Sequence, residues 1–221
     1  WSQSEDGLTW TFVLRDDVTF HDGTPFNAEA VKYNIERIKA PETASAQAAD
    51  DLGPIASVEV VDEFTVAITH ESPWATMMDT IRRVPFWSPT AAEEYGVAEF
   101  DKHLIGTGPF IFSEWVPNDH ATFTKWEDYG GWNSVQEHEG PVYLDSVTIR
   151  FIGEDAVLGS IVETGDAHIV QELPAQYVVD YQNSDEAGFM VGYQAGTGLQ
   201  QVMNTTEPPL NQLEVRQALQ H

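Results

Sequence analysis

WTFVLRDDVTFHDGTPFNAEAVKYNIERI, Trp10 to Ile38, sets strand, turn and helix signals in immediate succession. Trp10, Phe12 and Leu14 alternate with Thr11, Val13 and Arg15, the period of a strand with one strongly apolar face. In the HDGTPF run that follows, Gly23 and Pro25 break the strand, and Asn27 stands where a side chain caps a helix by accepting a backbone N–H. Beyond it Val31, Ile35 and Ile38 fall at helical spacing, Glu29 sits favourably in the first turn, and Pro41 ends the run.

Working outward, Val58, Val60, Phe64, Val66 and Ile68 alternate around Asp62 and Glu63, which predicts a β-hairpin with an acidic turn. Trp74 to Arg83 predicts a helix carrying Met77, Met78 and Ile81. After it, Pro85 and Pro89 impose an extended path on Val84 to Pro89 and hold Phe86 and Trp87 at the surface or in a cleft. Phe110–Trp115 and Ala121–Trp126 pair across the Pro117-Asn118-Asp119 turn, and Val147, Ile149 and Phe151 alternate on a further strand. Ala156–Thr164 reads as a helix closed by Gly165 at a position that needs positive φ, and Ala167–Val170 as a short strand. Asn211 and Glu214 are spaced as an N-cap and its N3 partner, and Val215 and Leu219 begin an apolar stripe that stops at His221. A stripe cut short predicts that the natural chain continues. Helices alternating with strands give a mixed α/β layer, with the softest boundaries near Leu104 and over Thr206–Pro209.

At 221 residues and 24.6 kDa, the chain is long enough to bury roughly 70% of its unfolded surface. Lys+Arg 10 against Asp+Glu 36 leaves a net charge of -26, which repels phosphate backbones and anionic headgroups and argues against nucleic acid as a partner. Acidic side chains occur in every segment, the pattern of a highly hydrated, salt-tolerant surface. With no cysteine there is no disulfide framework, thiolate metal site or Cys nucleophile. No apolar run approaches the ~20 residues of a membrane helix.

Signals for chemistry are weak. GTGP at Gly106–Pro109 is followed by no Lys-Ser/Thr pair, and Pro109 removes a backbone donor, so it reads as a turn entering a strand rather than a phosphate loop. His21, His70, His103, His120, His138, His168 and His221 form no HxH or HExxH set; His138 between Glu137 and Glu139 comes nearest to a metal cluster, and His21 reads as a turn residue. Without a GxSxG elbow or a Ser-His-Asp framework, only paired carboxylates remain for a hydrolase, and 36 acids guarantee accidental pairs. Asn204-Thr205-Thr206 is an N-x-T acceptor sequence.

Four blocks recur in a known order: the Trp10–Ile38 stretch, IGTGPFIFSEW from Ile105 to Trp115, SVTIRFIGEDAVLGSIVETGDAHI from Ser146 to Ile169, and MNTTEPPLNQLEVRQAL from Met203 to Leu219. In them the sequence resembles the extracellular solute-binding proteins of family 5, which deliver peptides, nickel complexes or other small solutes to ABC importers. The resemblance implies an α/β (mixed α+β) fold like that of type II periplasmic binding proteins, comprising most of lobe I and truncated at both ends. It implies a peripheral subdomain over 1–103, a central mixed sheet over 104–206, and a hinge with the first helix of lobe II over 207–221. The Asn204 block then closes a strand that crosses toward the second lobe, where a glycan would obstruct closure.

The function so implied is capture of a solute by closure of two lobes, an oligopeptide or dipeptide by default. A nickel complex or sugar-type solute, and a sensory binding role, are the alternatives. No catalysis and no cofactor or metal are expected. The partners are a small-molecule or peptide solute and the permease subunits, the protein is expected to be a monomer, and its place is the periplasmic or extracellular face of the membrane, by a lipid anchor in one form. The resemblance places Arg82, Arg83, Phe86 and Trp87 on a cleft-lining loop, where guanidinium forks meet an anionic or chelated ligand. It places Thr197, Gly198, Leu199 and Gln200 on the last strand before the hinge. Because a two-walled cleft binds through both walls, residues 1–221 alone are expected to hold solute weakly or not at all. Tight, stoichiometric peptide binding to this segment in a calorimetric titration contradicts that.

Overall fold

In the computed structural model, residues 1–43, 45–96, 99, 102–132, 139–171, 173–183 and 204–218 are described, in two compact units, Trp1–Gly153 and Glu154–His221. The first unit opens with β1 (Ser2–Gln3) and β2 (Thr9–Val13), then the turn at Phe20–Thr24 and α1 (Ala28–Lys39). Asn27 caps α1 as predicted: its side-chain oxygen accepts from the Ala30 N–H at 3.0 Å, and Glu29 lies in the first turn. α1 buries Ala28, Ala30, Val31, Asn34, Ile35 and Ile38 on one face, a stripe at helical period with one polar member.

After α2 (Ala46–Leu52), β3 (Ile55–Asp62) and β4 (Thr65–His70) form the expected hairpin, whose turn is tightened by the Phe64 N–H donating to the Asp62 carboxylate at 3.0 Å. The antiparallel sheet runs β1-β2-β4-β3, with Trp10 opposite Ile68 and Phe12 opposite Val66. Inward-facing Val66, Ile68 and His70 alternate with outward neighbours along β4. Their face meets α1 and α2 through Trp10, Val31, Ile35, Ile38, Leu52 and Ile55. Each large aliphatic chain so buried contributes roughly 1.5–3 kcal/mol. His70 sits in this apolar row because its Nε2 hydrogen-bonds the Leu52 carbonyl at 3.0 Å.

The expected helix over Trp74–Arg83 is shorter. α3 spans Met77–Thr80 and tightens into a 3-10 turn at Ile81–Arg83. Thr80 Oγ1 donates back to the Thr76 and Met77 carbonyls, and Val84 is extended as a residue before proline must be. An unpredicted helix, α4 (Pro89–Tyr95), follows.

β5 (Phe110–Val116), β6 (His120–Lys125) and β7 (Ser146–Arg150) make a second antiparallel sheet, joined at the β5–β6 turn by Asn118 with φ 62. One face is apolar, with Phe112, Phe123 and Val147 in one row and Trp115, Ala121 and Ile149 in another; the opposite face carries Thr122, Thr124 and Thr148.

In the second unit, α5 (Asp155–Leu158) is shorter than the predicted Ala156–Thr164. Gly159 ends it: the Tyr177 ring occupies the space where a Cβ at Gly159 would stand, and Tyr181 Oη donates to the Gly159 carbonyl at 3.0 Å. Gly165 has the expected positive φ of 77. Ala167–Val170 is not a strand: it joins no sheet among the described residues, its Ala167 N–H bonds the Ile161 carbonyl instead, and Ile169 is exposed. α6 (Val178–Gln182) and α7 (Leu213–Ala218) complete the order. The Arg216 N–H bonds the Gln212 carbonyl, so α7 begins one residue later than Asn211 as N-cap predicts, and Leu219 lies outside the described residues.

At Gly53, with φ 71 after α2, a methyl group is poorly tolerated: an added Cβ would stand 2.5 Å from Cε2 of Trp74. Gly53→Ala combines about 1–3 kcal/mol of backbone strain at a positive-φ, extended position with about 1–3 kcal/mol of overpacking. A chemical-denaturation midpoint unchanged by this substitution contradicts the placement of the Trp74 ring.

Candidate functional site

Asn34 holds the segment from Val84 to Ser88 against α1. Fully buried, its amide Nδ2 donates to the carbonyls of Trp87 at 2.7 Å and Ala30 at 2.9 Å, and its Oδ1 accepts from the Trp87 N–H at 2.9 Å. Among the described residues no strand pairs with this proline-extended segment, and one amide side chain binds both backbone groups of Trp87. The Trp87 ring is turned inward: it is 2% exposed, packs with Ala91, Ala92, Tyr33, Tyr95 and Ile105, and donates from Nε1 to the His103 carbonyl at 2.8 Å. The guanidinium of Arg37 lies 5.7 Å from its ring centre.

Ser88 fixes the end of the segment. Its N–H bonds the Ile105 carbonyl, its Oγ accepts from the Ala91 N–H to cap α4, and its hydroxyl donates to the Asp22 carboxylate. Asp22 also accepts from the Thr24 N–H at 3.0 Å and the Thr24 hydroxyl at 2.6 Å. Burial pushes the Asp22 carboxyl up, but the hydrogen bonds from Ser88 and Thr24 outweigh it and hold the group below the usual carboxylate range.

The adjacent His21 ties the HDGTPF turn to the GTGP loop. Its N–H donates to the Gly106 carbonyl at 2.9 Å, and Nε2–H donates to the Gly108 carbonyl at 2.8 Å, which sets the tautomer. Burial pulls the imidazole below its ordinary value, against the opposing pull of the Gly108 carbonyl and Asp22. Trp126 meets its edge at 4.9 Å, with Tyr129 and Trp132 beyond, and Trp132 Nε1 donates to the Thr107 carbonyl at 3.1 Å. GTGP is thus gripped by a histidine and an indole through its carbonyls.

The residues expected to face ligand occupy different settings. Arg82 is exposed and donates from Nε to the Asp79 carbonyl at 2.9 Å while pairing with its carboxylate at 3.0 Å. Arg83, half exposed, pairs with buried Asp51 at 3.5 Å and with Asp79 at 3.7 Å. Phe86 packs edge-on against Phe26. Thr197, Gly198, Leu199 and Gln200 lie outside the described residues, as does His138. A shallow hollow of about 360 Å³ is lined by Thr24, Pro25, Asn27, Glu29, Ala30, Tyr33, Pro89 and Thr90, none of them among the expected ligand residues. Among the described residues no three His, Asp or Glu side chains converge to hold a metal, and no helix is long and apolar enough to cross a membrane.

Sequence reasoning passed over Asn34, Asp22 and Ser88. Ser88-Pro89 was a readable sign, an N-cap followed by proline at the first helical position. Asn34 was visible as a polar residue inside the apolar stripe of α1.

The family model described as "Bacterial extracellular solute-binding proteins, family 5 Middle" matches residues 1–221. The chain belongs to that family. This family 5 protein is 31% identical over 220 residues to the glutathione-binding protein GsiB of Pectobacterium atrosepticum, covering 99% of this chain and 41% of that protein. It therefore spans about two fifths of the length of the curated relatives it matches. Among solved structures it is similar to the ABC transporter-associated periplasmic binding protein DppA from Helicobacter pylori in complex with the peptide STSA, with a TM-score of 0.69 and 25% identity over 84% of this chain and 39% of that one. It is also similar to NikZ from Campylobacter jejuni in complex with Ni(L-His), with a TM-score of 0.65 and 27% identity over 75% of this chain and 32% of that one. The mixed α/β architecture of the family 5 protein is that of the type II periplasmic binding proteins, as the resemblance implied.

The Asp22 network sets a pH dependence. Because its folded pKa lies below the unfolded value of about 3.9, its stabilisation is complete above that pH and is lost as pH falls through the folded value. Asp22→Asn therefore lowers the melting temperature at neutral pH, and the gap to the unaltered protein narrows on acidification below about pH 4. A gap that stays constant in melts from neutral to acid pH shows that the Asp22 charge adds nothing.

Proposed function

We propose that the full-length protein is the substrate-binding component of an ABC importer that captures a short peptide outside the cytoplasmic membrane and delivers it to a membrane permease. The observation that carries this reading is the family match across residues 1–221, joined to relatives that bind glutathione, itself a tripeptide, and a peptide. The mechanism is closure of two lobes on the solute, which requires no covalent step. Within it, residues 1–103 form the peripheral part of the first lobe, 104–206 its central sheet, and 207–221 the passage toward the second.

Arg82 and Arg83 line one wall and exchange Asp79 for a carboxylate of the solute. Their exposure supports this: a solvated ion pair is worth about 0–1 kcal/mol, little enough for a ligand to displace. Phe86 adds apolar area, and Trp87 acts from behind, its backbone held by Asn34. Thr197, Gly198, Leu199 and Gln200 supply neutral hydrogen bonds and close backbone approach from the strand before the hinge. The similarity to NikZ favours a nickel chelate that carries a carboxylate as the second reading, the carboxylate met by the same arginines.

Isothermal titration of the full-length protein with dipeptides, tripeptides, glutathione and the nickel–histidine complex separates the two. Peptides are expected to bind, and Arg82→Ala and Arg83→Ala each to weaken them about tenfold, the loss of one charge-assisted hydrogen bond of about 1.5 kcal/mol. C-terminal amidation of the peptide abolishes that sensitivity. Binding of the nickel complex with no response to any peptide overturns the peptide reading.

A further inference from the structure

We propose that Asp51 is a positioning residue for solute capture, holding one arm of the Arg83 guanidinium so that the other is presented to the carboxylate of the solute. The proposal rests on the reading that Arg82 and Arg83 line a wall of the cleft, and it gives the two arginines different tasks.

The two carboxylates around Arg83 lie in opposite surroundings. The Asp79 side chain is 66% exposed, that of Asp51 only 7%. The Arg83 fork is divided between them: Nη1 stands 3.5 Å from Oδ1 of Asp51, and Nη2 stands 3.7 Å from Oδ2 of Asp79. Oδ2 of Asp51 accepts from Nε2 of Gln47 at 3.4 Å, so each oxygen of the buried group faces a partner. Asp51 belongs to α2, whose Ala48 and Leu52 are packed into the core, and that packing fixes the carboxylate in place.

Burial decides which pair a solute can break. Parting Arg83 from Asp51 leaves a buried charge without compensation, whereas an exposed carboxylate parted from its cation is simply rehydrated. An arriving solute carboxylate therefore takes the place of Asp79 at Nη2 while Nη1 stays with Asp51. Arg82, whose pair is with the exposed Asp79 at 3.0 Å, swings to the solute; Arg83 is already held in place for it. A guanidinium with one arm anchored has less rotamer freedom to lose on binding, and it can serve two carboxylates at once because its nitrogens form a rigid fork.

The test is isothermal titration of the full-length protein with a set of di- and tripeptides, each as the free acid and as the C-terminal amide. Asp51→Asn is expected to weaken the free acids about fivefold with the amides insensitive to it, a distinction that a purely structural role does not make. In an Arg83→Ala background the same substitution is expected to have no further effect. Arg83→Lys keeps a cation beside Asp51 and so keeps the fold, yet its single nitrogen is expected to hold the free acids as weakly as Arg83→Ala does, which decides the matter if Asp51→Asn does not fold. Unchanged affinity in Asp51→Asn, equal weakening of acids and amides by it, or full affinity in Arg83→Lys overturns the positioning role and leaves the peptide reading standing. Free acids that bind Arg83→Ala as tightly as the unaltered protein overturn the placement of Arg83 on the cleft wall, and the role of Asp51 with it.

Discussion

The buried amide of Asn34 carries a task that elsewhere in this fold falls to sheet neighbours. It gives both backbone groups of Trp87 a partner, and in doing so joins the apolar face of α1 to a segment whose prolines keep it out of any helix. A polar group so deeply buried is tolerated because its bonds are used; an apolar residue of the same size would remove the bonds it makes to the Trp87 N–H and carbonyl, at roughly 1–3 kcal/mol each. From this joint the path to Ser88, Asp22 and the HDGTPF turn is continuous in hydrogen bonds. The turn then reaches the GTGP loop through His21. Three stretches far apart in sequence are thus held in one place by four side chains.

Electrostatics shapes the surface rather than the core. With 36 acids against 10 basic residues, most carboxylates have no cation to meet. The few exposed pairs, such as Arg15 with Asp17 and Lys102 with Glu99, each stabilise little. Arg82 and Arg83 differ in that two of them gather around the same carboxylate, Asp79, while Arg83 also reaches the buried Asp51.

Much of the first unit was legible in the residues. The Trp10–Ile38 stretch, the hairpin around Asp62, the Asn27 cap and the Asn118 turn each depend on local chemistry: a period, a cap, or a backbone angle that few residues adopt. Elements of the second unit were misjudged for the opposite reason. Ala156–Thr164 has helical periodicity, yet Tyr177 and Tyr181 close on Gly159 from a later part of the chain and end the helix there. Ala167–Val170 has strand-like composition, but a strand exists only where another backbone offers its ladder, and none among the described residues does so. Trp87 was expected at a surface or in a cleft, since two prolines say that a segment is extended and not which way its side chains turn.

Family and fold class were determined by the sequence alone, because they rest on local patterns that recur in order: periodicity, turn residues and caps act over a few positions, where the chain carries its own instructions. Tertiary structure alone decided that Asn34 serves as a clamp, that Trp87 faces inward, and that Asp22 and Ser88 share a hydrogen bond across 66 positions. Those outcomes depend on which side chains meet once distant segments are packed, and a buried polar group reveals its purpose only through the partner that satisfies it.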